Sequence, residues 1–246
     1  MKFAIPSKGR SELVRKTLDV IGCENTEVYV AVEEAESYEL LIKGRVPVKT
    51  LPEGTYGMGA IRKHILEVNR GEDCIVMWDD DIKGLVYKWT DGDFTPINST
   101  QHIRAVMENL RQTAEDLETP LFTVSPSTSA QQYNQFHHFQ FGGMASTILG
   151  IIPRFLGDAD FDPRFIISED HDFSLNVKYF RRYLLMDNRY GVVNQKTWLR
   201  RGGCSTLRWG EDLFKQRTEL LRRKYGDLVR ANQKGKPRQI SIYAGF

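Results

Sequence analysis

The stretch DCIVMWDDDIKGL, residues 73–85, is apolar over a short strand pattern and then places three aspartates in succession. Its CIVMW segment predicts a strand buried on both faces, because it contains no charged residue. Asp79, Asp80 and Asp81 would follow the carboxyl end of that strand. They predict either a solvated turn, in which aspartate is common, or a site for a hard divalent cation. In extended backbone Asp79 and Asp81 project to the same side, so we expect both to reach a metal and Asp80 to point away.

The segments before this stretch alternate between strand and helix patterns. The predicted strands cover residues 2–6, 27–33, 46–51 and 74–78, and the predicted helices cover 11–22, 34–44 and 57–71. Alternation at this spacing indicates βαβ units and a mainly parallel sheet. Beyond the aspartates we expect helices at 99–117, 168–182 and 210–232, a strand at 121–125 and further strands within 136–152. The sequence therefore predicts an α/β protein with one compact domain, residues 1–195, and a helical extension packed on it, residues 196–246.

Charge is distributed unevenly along the chain. Residues 196–246 contain 13 Lys and Arg against 4 Asp and Glu, whereas residues 1–195 contain 21 against 28. A basic extension on an acidic body indicates either a polyanionic partner or a solvated helix surface. The cations predicted to contact phosphates are Arg200, Arg201, Arg222, Arg223 and Lys224. The sequence has no apolar run long enough to span a bilayer. The apolar stretch in its first residues, MKFAIPSKGR, is too short for a signal peptide, so we expect a cytoplasmic protein.

Polar residues follow each of the first four predicted strands. Open parallel sheets bind ligands outside the carboxyl ends of their strands, so these residues should meet at one crevice. The crevice would offer backbone N–H donors, cations, an acid for a ribose and a carboxylate cluster, which together suit a nucleoside diphosphate held through Mg²⁺ or Mn²⁺. The residues predicted to bind the nucleotide are Pro6, Ser7, Lys8, Arg10, Glu33, the turn 56–59, Arg62 and Asp79, and those predicted to bind the metal are Asp79 and Asp81.

The chain resembles the glycosyltransferases of the GT-A fold in the order of four segments: IPSKGR, a strand ending in Glu33, GAIRKHI and WDDDI. In that family an Asp-x-Asp motif holds a divalent cation on the diphosphate of a nucleotide sugar. The resemblance continues to ISEDHDF, residues 167–173, where many inverting members carry an acidic pair. It implies that Asp170, beside Glu169, is the catalytic base. It also implies a nucleotide-sugar half, residues 1–85, and an acceptor half, residues 86–195.

A narrower resemblance is to the phage and TET/JBP-associated DNA glycosyltransferases, through PSKGR, DDDI and the late RRGGCS…KYGDLV element. It implies transfer from a nucleotide sugar, with a UDP-sugar favoured, to a hydroxymethylated pyrimidine in DNA, and the host cytoplasm as location if the protein is phage-encoded. The segment FHHFQFGG, predicted as a strand with His137 and His138 on opposite faces, would contact the acceptor through His138.

Three alternatives remain at this point. The same fold could glycosylate a saccharide or a protein. A nucleotidyltransferase uses a similar sheet and metal to move a nucleotide instead of a sugar. A nucleic-acid-binding protein could retain a transferase-like body without catalysis.

Overall fold

A computed structural model describes residues 1–89, 92–129, 133–194, 211–231 and 240–242. The strands are β1 Lys2–Pro6, β2 Thr26–Val30, β3 Val48–Thr50, β4 Ile75–Trp78, β5 Ile82–Lys88, β6 Phe94–Ile97, β7 Leu121–Ser125, β8 Phe139–Gln140, β9 Ile148–Ile151, β10 Leu185–Asn194, β11 Val229–Ala231 and β12 Ile240–Ile242. The helices are α1 Ser11–Ile21, α2 Ala35–Ile42, α3 Met58–Val68, α4 Thr100–Asp116, α5 Glu169–Arg181 and α6 Glu211–Tyr225.

One large mixed sheet dominates this part of the chain. Its order is β3-β2-β1-β4-β9-β7-β10-β5-β6, with β8 paired to β10. The first four strands in that order are parallel, β9 is antiparallel to both of its neighbours, and β7 and β10 are parallel to each other. The predicted parallel half is therefore present, and its strand ends lie at one edge.

The sheet is covered on both faces, which explains why its central strands are apolar throughout. Side chains alternate along β1, so that Phe3 and Ile5 join one core cluster and Ala4 joins the other. The first cluster includes apolar residues of α1, α2 and α4, and the second includes residues of α3 and α5. Within the described residues, no helix is long and apolar enough to cross a membrane.

Several predicted elements differ in the structure. Within 136–152 only β8 and β9 are strands, and His137 and His138 precede β8, so their assignment to opposite faces of a strand is wrong. The final helix was expected to reach residue 232 but ends at Tyr225, because Gly226 adopts a positive φ of 57° and β11 follows. Strands β5, β6 and β10 were not predicted. In β10 the polar run Asp187–Arg189 interrupts the apolar pattern where the pairing register shifts.

Candidate active site

The three aspartates lie in a turn between β4 and β5, where Asp79 has a different partner from Asp80 and Asp81. The N–H of Asp79 donates to Thr147 O at 3.1 Å, and the N–H of Ile82 donates to Asp79 O at 3.4 Å. Asp79 pairs with Arg62, whereas Asp80 points toward β1 and α1. The expectation of extended backbone is therefore wrong. Asp80 points away from Asp79, as expected, but Asp81 lies near Arg10, the partner of Asp80, and binding of one metal by Asp79 and Asp81 stays a prediction.

Arg62 on α3 connects the aspartate turn to α5. Its Nη2 lies 2.8 Å from Asp79 Oδ1, its Nε lies 3.0 Å from Glu169 Oε1, and its Nη1 donates to Ser146 O at 3.4 Å. The Arg62 side chain is 3% exposed, so both ion pairs are shielded from water. Arg62 thereby brings together the two acidic motifs, DDD and EDHD, which are some 90 residues apart in the sequence.

Two glycines allow α3 to approach the segment before α5. Gly57 has a φ of 85°, and a Cβ there would lie 2.8 Å from Ile166 Cα. A Cβ on Gly59 would overlap the carbonyl oxygens of Asp162 and Phe165. The N–H groups of Met58 and Gly59 donate to the carbonyls of residues 166 and 165, at 3.1 and 2.9 Å. These two N–H groups are therefore not available to a diphosphate, contrary to the prediction that this turn supplies donors.

Asp80 anchors the loop that follows β1. Its Oδ2 accepts from Ser7 Oγ at 2.5 Å, and its Oδ1 lies 3.2 Å from Arg10 Nη1. Ser7 Oγ also lies 2.7 Å from the Tyr38 hydroxyl, which accepts from Arg10 N at 2.9 Å. Arg10 reaches further, because its Nη1 lies 3.7 Å from Asp81 Oδ2. The loop after β1 and the aspartate turn thus form one connected edge of the site.

The remaining residues predicted to bind the nucleotide take different positions. Lys8 is exposed at the edge, whereas Pro6 is buried at the end of β1. Glu33 is exposed in a 3₁₀ turn, and it is Glu34 whose Oε2 accepts from Gly9 N at 3.0 Å. The sequence reading missed Glu34 and Tyr38 because β2 was expected to end at residue 33 but ends at Val30.

Negative charge is concentrated at this edge. Burial raises the pKa of Asp79 well above its ordinary value, and the charges of Asp81, Glu169 and Asp80 raise it further against the opposing charge of Arg62. Burial also raises the pKa of Asp80 to about 6, although Ser7 and the Arg10 charge oppose this shift. The local charge would be relieved by a further cation, and the donors present are hard carboxylate oxygens.

Asp170 is the more accessible member of the acidic pair on α5. Its side chain is 20% exposed, against 7% for Glu169, which is already held by Arg62. Burial raises the pKa of Asp170, but the nearby charges of His171 and Arg62 outweigh that effect and hold this pKa below its ordinary value. Asp170 is therefore a carboxylate at neutral pH, with His171 Nδ1 lying 3.2 Å from its Oδ1.

Helix α6 packs against the same end of α5. Arg217 is 6% exposed, and its Nη1 donates to Ser168 Oγ at 3.3 Å. Its Nε and Nη2 are buried and have no hydrogen-bond partner among the described residues. The charge of Asp170 raises the pKa of the neighbouring His171, and the positive charge of Arg217 opposes that shift. Arg217 was missed by the sequence reading, although its spacing from the buried Phe214 and Leu221 places it on the apolar face of α6.

A family model for TET-associated glycosyltransferases matches residues 1–203. The chain belongs to this family. The narrower resemblance drawn from the sequence is confirmed, and the protein is a glycosyltransferase. The match favours transfer of a sugar over the nucleotidyltransferase and non-catalytic alternatives. The sequence matches no curated protein.

The mixed α/β sheet with its parallel core matches the fold of a solved nucleotide-sugar transferase, as predicted for this TET-associated glycosyltransferase. A mannosyltransferase from Pyrobaculum calidifontis, solved with GDP-Man and Mn²⁺, is 11% identical with a TM-score of 0.51, and the match covers 89% of this chain and 61% of that chain. A UDP-glucose pyrophosphorylase complexed with UDP-glucose is 8% identical with a TM-score of 0.47, covering 90% of this chain and 98% of that chain. A mannose-1-phosphate geranyltransferase from Thermus thermophilus is 10% identical with a TM-score of 0.46, covering 80% of this chain and 76% of that chain.

The residues predicted to contact the acceptor have different surroundings, among those that the structure describes in this TET-associated glycosyltransferase. His138 is exposed and stacks on Tyr133, with ring centroids 5.9 Å apart. Arg222 and Arg223 are exposed on α6, whereas Lys224 lies 2.7 Å from Asp172 Oδ1 and 3.2 Å from Asp162 Oδ2. Lys224 is thus engaged by two carboxylates instead of facing a phosphate. Arg200 and Arg201 lie outside the described residues.

Proposed function

We propose that this enzyme transfers a sugar from a nucleotide sugar, most readily a UDP-sugar, to the hydroxyl of a hydroxymethylated pyrimidine in DNA. The observation that supports it best is the position of Arg62 between Asp79 and Glu169. Arg62 connects two groups of acids. The aspartate turn suits a cation that carries a diphosphate, and the acidic pair on α5 suits proton transfer. Family membership supports the transferase class, and the TET association supports a modified DNA base as acceptor.

Asp79 and Asp81 would hold the divalent cation, Mn²⁺ or Mg²⁺. Among the described residues, no group of three or more His, Cys, Asp and Glu side chains is arranged to hold a metal by itself. Two carboxylates are nevertheless sufficient where the phosphates of a substrate complete the coordination, as is usual for Mg²⁺. When bound, the cation would supply Lewis-acid stabilisation of the departing diphosphate.

The proton of the attacking hydroxyl would pass to Asp170. A general base must be ionised and within reach of its substrate, and Asp170 is ionised and partly exposed, whereas Glu169 is occupied by Arg62. The oxygen of the acceptor would attack the anomeric carbon as the bond to the diphosphate breaks. A single displacement of this kind inverts the anomeric centre, so the product should have the opposite anomeric configuration to the donor.

A thermal-shift screen tests the donor site. Wild type would be heated with UDP, GDP, CDP and UDP-sugars, with and without Mn²⁺, beside Asp81→Ala and the matched control Asp73→Ala. Asp73 is an exposed aspartate just before β4, at the opposite end of the same strand. We expect a metal-dependent rise in Tm for wild type and Asp73→Ala only. A rise that survives Asp81→Ala would contradict the assignment of the metal site.

Transfer assays then test the chemistry. On hydroxymethylated DNA, Asp170→Asn should lower kcat by about 10²–10⁴-fold and leave the metal-dependent shift in Tm intact. A panel of saccharide and protein acceptors is run in parallel, and transfer to these but not to DNA would reject the proposed acceptor. NMR of the product would reject the single displacement if the configuration of the donor were retained.

A further inference from the structure

Aromatic side chains lie close together on β5, β8 and β10 and just after β5 and α5. The rings of Trp89 and Tyr87 are 4.7 Å apart, and those of Tyr87 and Tyr190 are 5.6 Å apart. Tyr87 and Tyr190 are directly opposed in the β5–β10 pair, so both project from the same face. We call the set Trp89, Tyr87, Tyr190, Phe139, Phe141 and Tyr183 the aromatic row.

Arg189 continues the row from β10 to β8. Its guanidinium lies 5.7 Å from the ring centroid of Tyr190 and 5.2 Å from that of Phe139. Asp187 fixes this guanidinium through Nη2–Oδ2 and Nε–Oδ1 contacts of 2.7 and 3.0 Å. The row ends where Phe141 meets Tyr183 edge-on at 5.8 Å. The rings are therefore joined by a rigidly held cation.

The row is open to solvent and bordered by positive charge. Trp89 is 48% exposed, Phe139 37% and Phe141 45%. Arg182, next to Tyr183, is exposed at the end of α5. Exposed aromatic rings bind unpaired bases by stacking, while nearby cations contact the phosphates.

Two short segments connect the row to the candidate active site. Strand β5 starts directly after Asp81 and reaches Tyr87 within six residues. From Phe141 the chain runs along α5 toward the N-terminus of that helix: Gly142 O accepts from Lys178, Ala145 N donates to Ser174 Oγ, and Ser146 O accepts from Arg62. The row is thus linked to the aspartate turn through β5, and to Arg62 through the segment from Phe141 to Ser146 that packs on α5.

We propose that the aromatic row stacks unpaired bases next to the target nucleotide, so that the enzyme acts on single-stranded or locally opened DNA. This inference rests on the proposed function and specifies its substrate. A base inside a duplex presents no free face to these rings, whereas a strand of separated bases presents one face per nucleotide. A single sugar ring would use one or two of the six rings and has no charge for the exposed Arg182, so the row favours a nucleic acid over a saccharide.

The test compares Phe139→Leu/Phe141→Leu with the matched control Phe94→Leu. Leucine keeps the apolar side chain and removes the flat ring. Phe94 on β6 is 50% exposed. Its neighbour Thr95 accepts a hydrogen bond from Trp89 of the row, and Phe94 projects from the opposite face of the sheet to Thr95. A Phe139→Trp variant, which restores a flat ring, controls for local distortion.

The first measurement is the affinity for a labelled single strand, read by fluorescence anisotropy in the absence of the sugar donor. The second is kcat/KM for one hydroxymethylated pyrimidine, which is placed in a single strand, opposite a mismatch or in a perfect duplex. We expect wild type to prefer the single strand, and the double variant to bind it about tenfold more weakly, while Phe94→Leu and Phe139→Trp match wild type. Equal use of the perfect duplex, or equal affinity of the double variant and Phe94→Leu, would overturn the proposal.

Two further results separate this inference from the proposed function. A wild type that glycosylates duplex DNA faster than single strands would retain the proposed function and reject the row as a base-binding surface. A wild type that glycosylates no DNA would reject the proposed function, and the anisotropy measurement would then test the row by itself. If the double variant changes the sedimentation of the protein, the row is an interface with a second copy of the chain and the proposal is rejected.

Discussion

Lys178 is a buried cation that holds the segment before β9 against α5. It is 1% exposed, and its Nζ donates to Gly142 O. Burial lowers the pKa of Lys178 to about 8, since the charged form loses hydration. Four residues further toward the N-terminus of α5, Ser174 Oγ accepts from Ala145 N at 3.0 Å. The two residues thus fix the path of the chain toward Ser146 and Arg62.

Replacing Lys178 with methionine should change how stability depends on pH. The folded pKa, about 8, lies below the ordinary value of 10.5, so the unfolded chain binds the proton more tightly. The buried charge therefore lowers the free energy of unfolding of the wild type below pH 8. This free energy increases as pH rises from about 8 to 10.5, because Lys178 then loses its proton in the folded state. The free energy of unfolding of wild type, relative to Lys178→Met, should increase by up to about 3 kcal/mol over that interval.

Urea unfolding of both proteins at several pH values measures this difference. Only the difference is informative, because Lys88 also has a pKa lowered to about 8 by burial and titrates in both proteins. Parallel stability curves for the two proteins would show that Lys178 is not responsible.

Helix α3 illustrates how one element positions the site. Its amphipathic pattern fixes which face is buried, and Ile65 and Leu66 pack in the core between α3 and α5. The direction in which Arg62 points depends on the contact between the first turn of α3 and residues 162–166. Gly59 permits that contact because it has no side chain.

Gly59→Ala should displace α3 from this contact. A Cβ there would overlap two backbone carbonyls, which cannot move aside as a flexible side chain could. We expect a loss of about 2 kcal/mol in the free energy of unfolding, together with reduced transfer activity because Arg62 shifts. Gly71→Ala is the control, since nothing lies within 4 Å of a Cβ at Gly71, and its stability should change by less than about 0.5 kcal/mol. Equal effects of the two substitutions would contradict this account.

At the scale of the whole molecule, the basic C-terminal region contains cations in two different environments, which composition cannot separate. Lys224 neutralises Asp172, which is fully buried, and Tyr225 donates its hydroxyl hydrogen to the same carboxylate at 2.9 Å. The neighbouring Arg222 and Arg223 are exposed. One cation of the RRK run is therefore structural, and two remain accessible to a polyanion.

Substitutions in this run should separate the two roles. Lys224→Met leaves Asp172 buried without its cation and should lower the free energy of unfolding by about 3 kcal/mol. Arg222→Gln/Arg223→Gln should leave stability nearly unchanged, weaken binding to DNA and reduce the slope of log K against log salt by up to about 2. Urea unfolding and anisotropy over a salt series measure these effects. An unchanged salt slope would show that neither arginine contacts a phosphate.

Local sequence patterns were enough to predict the parallel half of the fold, and they led to the hypothesis that the site lies at its edge. Strands and helices with strong local periodicity, from Lys2 to Trp78, were predicted with small errors at their ends, because periodicity depends on neighbouring residues alone. The aspartates were placed at the sheet edge because polar residues after a buried strand must lie at its carboxyl end. Short motifs in that order were sufficient to indicate the family.

The pairing of charged residues became evident from the three-dimensional arrangement of the elements. The Arg62–Glu169 ion pair joins residues more than 100 positions apart, Asp80 turns to Ser7 and Arg10, and Arg217 reaches Ser168 from a helix beyond the family match. Such contacts depend on helix packing and on turns, which local patterns do not encode. Strand β10 was missed for the same reason: its polar residues are stabilised by partners on other strands, and pairing between distant segments leaves no periodic signal in the chain.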